Sequence, residues 1–378
     1  MASTRPNEIF NTQNNGSKIH REPASDSSCH IVIIGAGVAG LACARYLTHS
    51  LEKKSYKITI LEARDRVGGR TLSIPELNLD LGASWIFSPH TAALSLVREL
   101  NIGTIDQYED GISLMKSGNS DVRRMRLGEI HNGAIRLKGG AGSLCATLLN
   151  ELTVKNQTTV AVQLNSPVIS ITYETNQKLN IELRDKKSIV ADYVVLALPP
   201  KLFISTIKIT PQLPKSLTEE LSDCDTWMAS TCKAILQYER AWWKDQKLSG
   251  FAVSRQSKAQ EWHDASSDTC NALFVFCLSG TTKQQVIDAT VKIFGNEAIN
   301  PTAIHMVDWS NERFTSGSTD HSFGGHAHAS NICRQSQWNG RLWFGNSEVS
   351  DAHGGFIEGA VRRGAQVANQ LAELIVGK

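Results

Sequence analysis

The front of the chain alternates short apolar runs with a longer segment of helical periodicity. Residues 31–34 form a continuous apolar run, which is the pattern of a strand covered on both faces. Beyond a glycine-rich turn, apolar side chains recur at three- and four-residue intervals from Leu41 to Leu47, which predicts a helix. A second run, residues 56–61 (YKITIL), predicts the next strand. This order of strand, tight turn, helix and strand is typical of an α/β fold.

The C-terminal segment shows the same helical periodicity. Its apolar stripe follows Gly354 and Gly355 and consists of Ile357, Ala360, Val361, Gly364, Val367, Ala368, Leu371 and Ile375. The spacing predicts a helix with one buried face that begins just past the glycine pair. A purely structural helix would have the same stripe, but it would not need the glycine pair or the Ser347-Glu348 pair upstream.

Composition limits the class of protein. A chain of 378 residues is too long for one simple core and suggests two interlocked domains. Its apolar content of 41% and net charge of +2 are ordinary for a globular protein, so we expect no nucleic-acid partner. No apolar run approaches the length that spans a bilayer, so we expect no membrane anchor. The eight cysteines include no Cys-x-x-Cys pair, which indicates reduced thiols and a cytoplasmic location.

The N-terminal residues 1–28 are polar throughout and rich in Asn, Ser, Gln and Pro. They contain no apolar segment of the kind that a secretory signal requires. Because such a composition cannot build a core, we expect a disordered tail, with a targeting peptide as the alternative.

The turn after the first strand carries a Gly-x-Gly-x-x-Gly motif. Gly35 permits a sharp turn, Gly37 lets the backbone approach a pyrophosphate, and Gly40 lets the helix pack closely on the strand. By itself this motif also fits a glycine-rich structural turn. Glu62 ends the second strand twenty-two residues after Gly40, where a carboxylate can bind an adenosine ribose. The combination predicts a dinucleotide site at the positive end of the helix.

The residues that follow Glu62 distinguish between cofactors. In residues 62–71 (EARDRVGGRT) a second glycine pair is flanked by arginines, which a nicotinamide enzyme does not need. Here the sequence resembles the flavin-containing amine oxidase family, which includes monoamine oxidases, polyamine oxidases, L-amino-acid oxidases and histone demethylases. Further similar segments are residues 79–86 (LDLGASWI), 136–144 (RLKGGAGSL), 191–200 (ADYVVLALPP) and 341–375.

The resemblance implies an α/β fold in which a doubly wound, Rossmann-like FAD domain adjoins a substrate domain with a mixed or antiparallel sheet. We expect the FAD domain to comprise residues 29–90, 137–203 and 335–378, and the substrate domain residues 91–136 and 204–334. The cofactor-binding residues that the resemblance implies are Gly35, Gly37, Ala39, Gly40, Glu62, Ala63, Arg64, Gly69, Arg70, Gly82, Ala83, Ser84, Trp85, Val168, Ser347, Glu348, Gly355, Phe356, Ile357 and Ala360.

On the substrate side, residues 227–243 resemble the family strand whose lysine reaches a water beside flavin N5. That lysine corresponds to Lys233, although an outward-facing strand lysine is the plain alternative. The other candidate walls of the catalytic site are Trp85, Thr319, His353 and Phe356. For His353, a proton relay and a packing role are both open.

The sequence departs from the family at three places. Ser318 stands where monoamine oxidases carry the cysteine of the covalent flavin link, so FAD should be bound noncovalently. Thr319 and Phe356 stand where two tyrosines flank the amine, so half of that aromatic box is missing; this weakens the case for a small aryl-alkyl amine and leaves a hydroxyl-bearing or charged substrate equally open. Only 56 residues, 83–138, replace a longer helical roof over the substrate cavity. The cavity is therefore shallow, completed by a second copy in a homo-oligomer, or built for a large substrate.

The family resemblance implies oxidation of an amine C–N bond. Hydride passes from the carbon beside a neutral amine to flavin N5, the imine hydrolyses, and O2 reoxidises the flavin to give hydrogen peroxide. The partners would be a small-molecule amine and O2. A flavin dehydrogenase or desaturase, an L-amino-acid oxidase and a non-catalytic flavin-binding interaction protein are the alternatives. We expect no metal site, since His321, His326 and His328 lie in a glycine-rich loop without a completing carboxylate or cysteine.

Overall fold

The computed structural model describes residues 28–52, 54–118, 120–155, 159–317, 320 and 329–377. The helices are α1 (Val38–Ser50), α2 (Thr91–Glu99), α3 (Gly142–Lys155), α4 (Pro200–Thr206), α5 (Lys215–Asp223), α6 (Trp242–Asp245), α7 (Lys283–Phe294) and α8 (Ile357–Val376). The strands are β1 (Cys29–Ile34), β2 (Tyr56–Leu61), β3 (Ser73–Ile74), β4 (Leu79–Asp80), β5 (Thr104–Asp106), β6 (Ile112–Lys116), β7 (Arg123–Met125), β8 (Ile135–Leu137), β9 (Val160–Gln163), β10 (Val168–Tyr173), β11 (Leu179–Leu183), β12 (Ser188–Ala191), β13 (Tyr193–Leu196), β14 (Lys208–Thr210), β15 (Thr231–Tyr238), β16 (Leu248–Ser254), β17 (Ala259–Asp264), β18 (Asn271–Leu278), β19 (Ala303–Asp308) and β20 (Leu342–Phe344).

A parallel sheet forms the centre of the first half, in the order β20-β13-β1-β2-β9. Side chains alternate between its faces, so Ile31 and Ile33 pack against α1, α3 and α8, while Val32 and Ile34 pack against the sheet β12-β11-β10-β14. The strand is thus covered on both faces, as its continuous apolar run predicts. The predicted α/β class is confirmed, with helices on one face of the sheet and a smaller sheet on the other.

A mixed sheet in the order β19-β15-β18-β17-β16-β6-β7 forms the second half. One face packs against α7 through a core that includes Ala234, Leu236 and Val286. The opposite face carries Ile235 and Phe274 toward Leu79 and Leu81 of the first half. The predicted mixed sheet is therefore confirmed.

The short segment 83–138 contains α2 and strands β5 to β8. Although residues 91–136 were assigned to the substrate domain, α2 packs into the core that holds α8. The carboxylate of Glu358 in α8 accepts hydrogen bonds from the α2 amides of Ala92 (3.2 Å) and Ala93 (2.8 Å). The division of the chain into two domains remains a prediction. Of the predicted tail, residues 1–27 lie outside the described residues.

No helix in the described part of the chain is long and apolar enough to cross a membrane. All eight cysteines are free thiols, and all but Cys29 are buried.

Two glycine contacts set the position of α1. A side chain at Gly40 would put its Cβ 2.0 Å from the carbonyl oxygen of Gly35, and one at Gly364 of α8 would put it 2.6 Å from the carbonyl oxygen of Ala39. These distances are too short for any Cβ, so the backbones touch directly. The start of α1 is thereby held against the end of β1 on one side and against α8 on the other.

We predict that Gly40→Ala destabilises the protein by about 3 kcal/mol or more, because the new methyl group would overlap backbone that cannot move aside. Thermal or denaturant unfolding measures this loss. Gly103→Ala is the control, since its Cβ would meet only the flexible side chain of Lys138 at 2.9 Å. Equal stabilities of the two variants would contradict the proposed close packing.

Candidate active site

The carboxyl ends of the parallel strands border a groove made of three adjoining cavities. The outer cavity lies beside Glu62 and Val168, the middle cavity beside Gly37 and Ser347, and the inner cavity beside Lys233. Glu62, Arg64, Leu198 and Phe314 line both the outer and middle cavities. The residues common to the middle and inner cavities are Arg70, Ala83, Thr315, Gly355, Phe356 and Ile357. Shared walls make the three cavities one elongated groove, and the carboxyl edge of a parallel sheet is where such folds bind ligands.

The N-terminus of α1 opens onto the middle cavity. Gly35 has φ +107°, a conformation that L side chains rarely adopt, and it turns the chain from β1 into the helix. At Gly37 a Cβ would meet only the carbonyl oxygen of Gly68, at 3.9 Å, so the backbone faces open space. The helix has no side-chain cap and no acidic residue in its first turn. Its positive end is therefore available to an anionic group.

Glu62 is fixed at the junction of the outer and middle cavities. It is 3% exposed, and its two carboxylate oxygens accept hydrogen bonds from the amides of Ala36 and Arg64, each at 2.9 Å. The first bond joins the end of β2 to the turn that follows β1. Each oxygen retains a lone pair that can accept a ligand hydroxyl.

A buried ion pair holds Arg70 in the groove. Its Nη1 lies 2.6 Å from Oε1 of Glu348, which is fully buried. Arg70 Nη2 donates to Ser347 Oγ at 3.2 Å, and that hydroxyl donates to Glu348 Oε2 at 3.0 Å. Arg70 thus presents a cation to the middle and inner cavities, while Glu348 supports it from behind.

The N-terminus of α8 reaches the groove as well. Gly355 has φ +84°, and a Cβ there would lie 2.5 Å from Cβ of Trp227, so this indole packs directly on the backbone. Phe356 is the N-cap residue without a side-chain cap, and it lines both the middle and inner cavities. A second positive helix end therefore meets the groove where its middle and inner parts join.

These observations fit FAD. The open backbone at Gly37 and the uncapped α1 terminus fit a diphosphate, Glu62 fits a ribose, and the inner end offers an aromatic wall with a positive helix terminus. All predicted cofactor residues line the groove except Gly40 and Glu348. Gly40 packs against the backbone of Gly35, and Glu348 forms an ion pair with Arg70.

The inner cavity is rich in aromatic side chains. Its described lining includes Trp85, Phe87, Trp227, Phe276, Trp309 and Phe356, and its charged residues there are Arg70 and Lys233. Trp227, Phe276 and Trp309 are functional candidates that the sequence analysis did not single out. Phe276 of β18 lies directly opposite Lys233 of β15, so aligning these two strands could have located it.

Lys233 points inward from β15. Its side chain is held by hydrogen bonds from Nζ to the carbonyl oxygen of Gly82 (2.6 Å) and to Ser84 Oγ (2.7 Å). Nζ also lies 4.0 Å from the ring centroid of Phe274. The residue is 3% exposed, and burial lowers its pKa well below the usual range, although the buried carboxylate of Asp80 partly opposes that shift. The lysine is therefore much less basic than a surface lysine.

Two histidine–carboxylate pairs lie behind Trp85. His131 Nδ1 contacts Glu109, and His263 Nε2 lies 2.9 Å from Glu261 Oε1. The Trp85 ring centroid is 4.5 Å from that of His131 and 4.9 Å from that of His263. This support was not predicted, because it joins strand β17 to a loop more than a hundred residues earlier in the chain.

The remaining predicted catalytic residues are less central. His353 is exposed; its ring centroid lies 4.8 Å from that of His90 and 6.3 Å from that of Phe356, and it is absent from the lining of the inner cavity. Trp85 lines the cavity and donates from Nε1 to Gln107 Oε1 at 2.8 Å.

Thr319 and the three loop histidines, His321, His326 and His328, lie outside the described residues. Within the described ranges, no group of three or more His, Cys, Asp or Glu side chains could hold a metal ion.

Two sequence models of known families match this chain. A sequence model of the flavin containing amine oxidoreductases matches residues 122–372, and a model of the NAD(P)-binding Rossmann-like domain matches residues 33–100. Flavin-containing amine oxidase B of Sus scrofa is 22% identical over 459 residues, covering 91% of this chain and 86% of that protein. Since this alignment is longer than the 378 residues here, the relative contains segments that this chain lacks.

Solved structures show the same fold. Cyclohexylamine oxidase from Brevibacterium oxydans superposes with a TM-score of 0.78 at 18% identity, covering 92% of this chain and 100% of that chain. Wild-type putrescine oxidase bound to putrescine superposes with a TM-score of 0.74 at 19% identity, covering 93% and 99% of the two chains.

We predict a pH dependence of stability from His263. Burial lowers its pKa from 6.5 to about 4, so the folded state favours the neutral imidazole, whose ring stacks on Phe274 at 4.8 Å. The stabilisation that comes from keeping His263 neutral is fully present above pH 6.5 and is lost as the pH falls from 6.5 through 4. When the pH is lowered from 7 to 4, the free energy of unfolding of the wild type should fall by about 3 kcal/mol more than that of His263→Phe. Denaturant unfolding at each pH measures the difference. Parallel losses across that range would contradict the prediction.

Proposed function

This chain belongs to the flavin containing amine oxidoreductases and oxidises the C–N bond of an amine with FAD, and we propose that its substrate is a compact, largely apolar monoamine. The observation that carries the proposal is the wall of the inner cavity. Six aromatic side chains contribute to that wall. Among the described residues, its charged groups are Lys233 and Arg70.

The charges of the inner cavity select between substrate classes. An amino-acid substrate would need a cation for its carboxylate, but Arg70 is engaged by Glu348 at 2.6 Å and by Ser347 at 3.2 Å. A diamine would need an acceptor for its second ammonium, and no carboxylate is in the described lining. Of the two similar solved structures, cyclohexylamine oxidase is therefore a better guide to the substrate of this chain than putrescine oxidase.

The same apolar wall favours the reactive form of the amine. Burial lowers the pKa of the Lys233 ammonium, and it must act likewise on a substrate ammonium placed beside it. The substrate is thus held as the neutral amine, whose lone pair assists loss of hydride from the neighbouring carbon. No side chain needs to act as a strong base.

Bound FAD supplies the hydride acceptor. The α1 terminus, Glu62 and Arg70 hold the cofactor, while Trp85, Trp227 and Phe356 confine the substrate and exclude water from the inner cavity. As an ammonium, Lys233 has three N–H donors, of which Gly82 and Ser84 take two. We assign the third to a water that Lys233 positions for the return of electrons to O2.

We predict that the purified protein is yellow and that apolar monoamines bleach it under anaerobic conditions faster than diamines or amino acids of similar size. Stopped-flow absorbance of the bound flavin measures the rates. Peroxide formation in air identifies an oxidase, whereas bleaching without peroxide identifies a dehydrogenase. A protein that binds FAD and is bleached by none of these compounds would contradict the proposed substrate class and favour a binding role.

We predict that Lys233→Met retains FAD but slows turnover in air by about a hundredfold or more, because the water is no longer held. The rates of anaerobic reduction and aerobic reoxidation are measured separately, and the larger loss should fall on reoxidation. Lys215→Met, at a side chain that is 89% exposed, is the control and should match the wild type. Unchanged reoxidation in Lys233→Met would exclude Lys233 from this role.

A further inference from the structure

Residues 309–317, here called the strap, contribute to all three cavities of the cofactor groove. Trp309 and Thr315 line the inner cavity, Phe314 and Thr315 the middle cavity, and Arg313 and Phe314 the outer cavity. The strap follows β19 of the substrate-side sheet, whereas the opposite wall of the groove is built from the strand ends of the parallel sheet. It therefore spans the length of the groove.

Both ends of the strap are anchored. At its start, Trp309 is 5% exposed and donates from Nε1 to the carbonyl oxygen of Leu81 at 2.9 Å. At its end, the amide of Gly317 donates to Asp320 Oδ2 at 2.8 Å, and Asp320 Oδ1 accepts from the amide of Thr226 at 3.3 Å. These hydrogen bonds hold the two ends of the strap, while its central residues are held by other contacts.

Arg64 ties the centre of the strap to the end of β2. Its Nη2 donates to Glu312 Oε2 at 3.0 Å and to Thr315 Oγ1 at 2.7 Å. The Phe314 ring centroid lies 5.6 Å from Cζ of Arg64 and 4.9 Å from Cζ of Arg313. The Arg64 side chain is 10% exposed and that of Glu312 37% exposed, so solvent screens the carboxylate more than the guanidinium. This contact, here called the clasp, joins the two walls of the groove beside Glu62, whose Oε1 lies 3.8 Å from Arg64 Nη1.

We propose that the clasp retains the noncovalently bound FAD, with Glu312 as a positioning residue that acts through Arg64. The inference rests on the FAD-dependent function given above. Since the sequence has Ser318 where a cysteine would form the covalent link, dissociation of the cofactor is limited by noncovalent contacts alone. Phe314 of the strap lines both the outer and the middle cavity, so the strap forms part of the wall at their junction, and we expect its centre to move when FAD leaves. Loss of the Glu312 carboxylate removes one of the two groups on the strap that bind Arg64.

The test is the rate at which the holoenzyme releases FAD on dilution, followed by the rise in flavin fluorescence. Glu312→Gln should release FAD about three to ten times faster than the wild type, as expected for a partly exposed ion pair. Glu312→Asp should restore part of the retention. Glu239→Gln, at an exposed carboxylate that follows the opposite end of β15, is the control for loss of a surface carboxylate and should behave as the wild type.

Salt separates the clasp from a general loss of structure. Release from the wild type should accelerate with added salt because the ion pair is screened, and Glu312→Gln should lose part of this dependence. Thr315→Val, which removes the second acceptor for Arg64, should also speed release, whereas Thr315→Ser, which keeps that hydroxyl in the same cavity wall, should release FAD at the wild-type rate. Wild-type release rates in both Glu312→Gln and Thr315→Val would overturn the proposal. A wild type that never binds FAD would instead overturn the function on which it rests.

Discussion

The direct backbone contact between Gly40 and Gly35 is the constraint on which the site depends. With no side chain between them, the first turn of α1 lies against the end of β1, and Gly364 brings α8 equally close to α1. The N-termini of both helices consequently open onto one groove at the carboxyl edge of the sheet. Two positive helix ends, Glu62 and Arg70 then define a site for a long, anionic cofactor.

The second half of the molecule acts mainly through desolvation. Strand β15 brings Lys233 into an aromatic wall, where only a backbone carbonyl and a hydroxyl accept its hydrogen bonds. This environment lowers the pKa of the lysine, and the proposed amine substrate would meet the same desolvation. Two histidine–carboxylate pairs near this wall, His131 with Glu109 and His263 with Glu261, lie against Trp85.

The sequence predicts those parts of the structure that depend on local pattern. Glycines at fixed spacing, the acid after β2 and the apolar stripe of α8 each have a local physical requirement, so α1, Glu62 and the α8 terminus were foreseen. Contacts between distant segments have no such signal. The packing of Trp227 on Gly355, the clasp between Arg64 and Glu312, and the histidine pairs behind Trp85 became visible only in the folded chain. His353 shows the opposite case, since its place in the sequence near Phe356 suggested the cavity, while its ring lies at the surface.

The contact between Glu358 and α2 makes the start of α8 depend on the short segment 83–138. Glu358 is 1% exposed, and its carboxylate is satisfied by the first amides of α2, with Arg362 Nη1 otherwise at 4.0 Å. A chain without α2 would leave this carboxylate with neither amide donor, and Arg362 at 4.0 Å is too distant to donate a hydrogen bond. Because Glu358 belongs to the first turn of α8, the loss would fall on the helix end that opens onto the groove. Helix α2 therefore supports the cofactor groove from behind α8, and none of its residues lines the three described cavities.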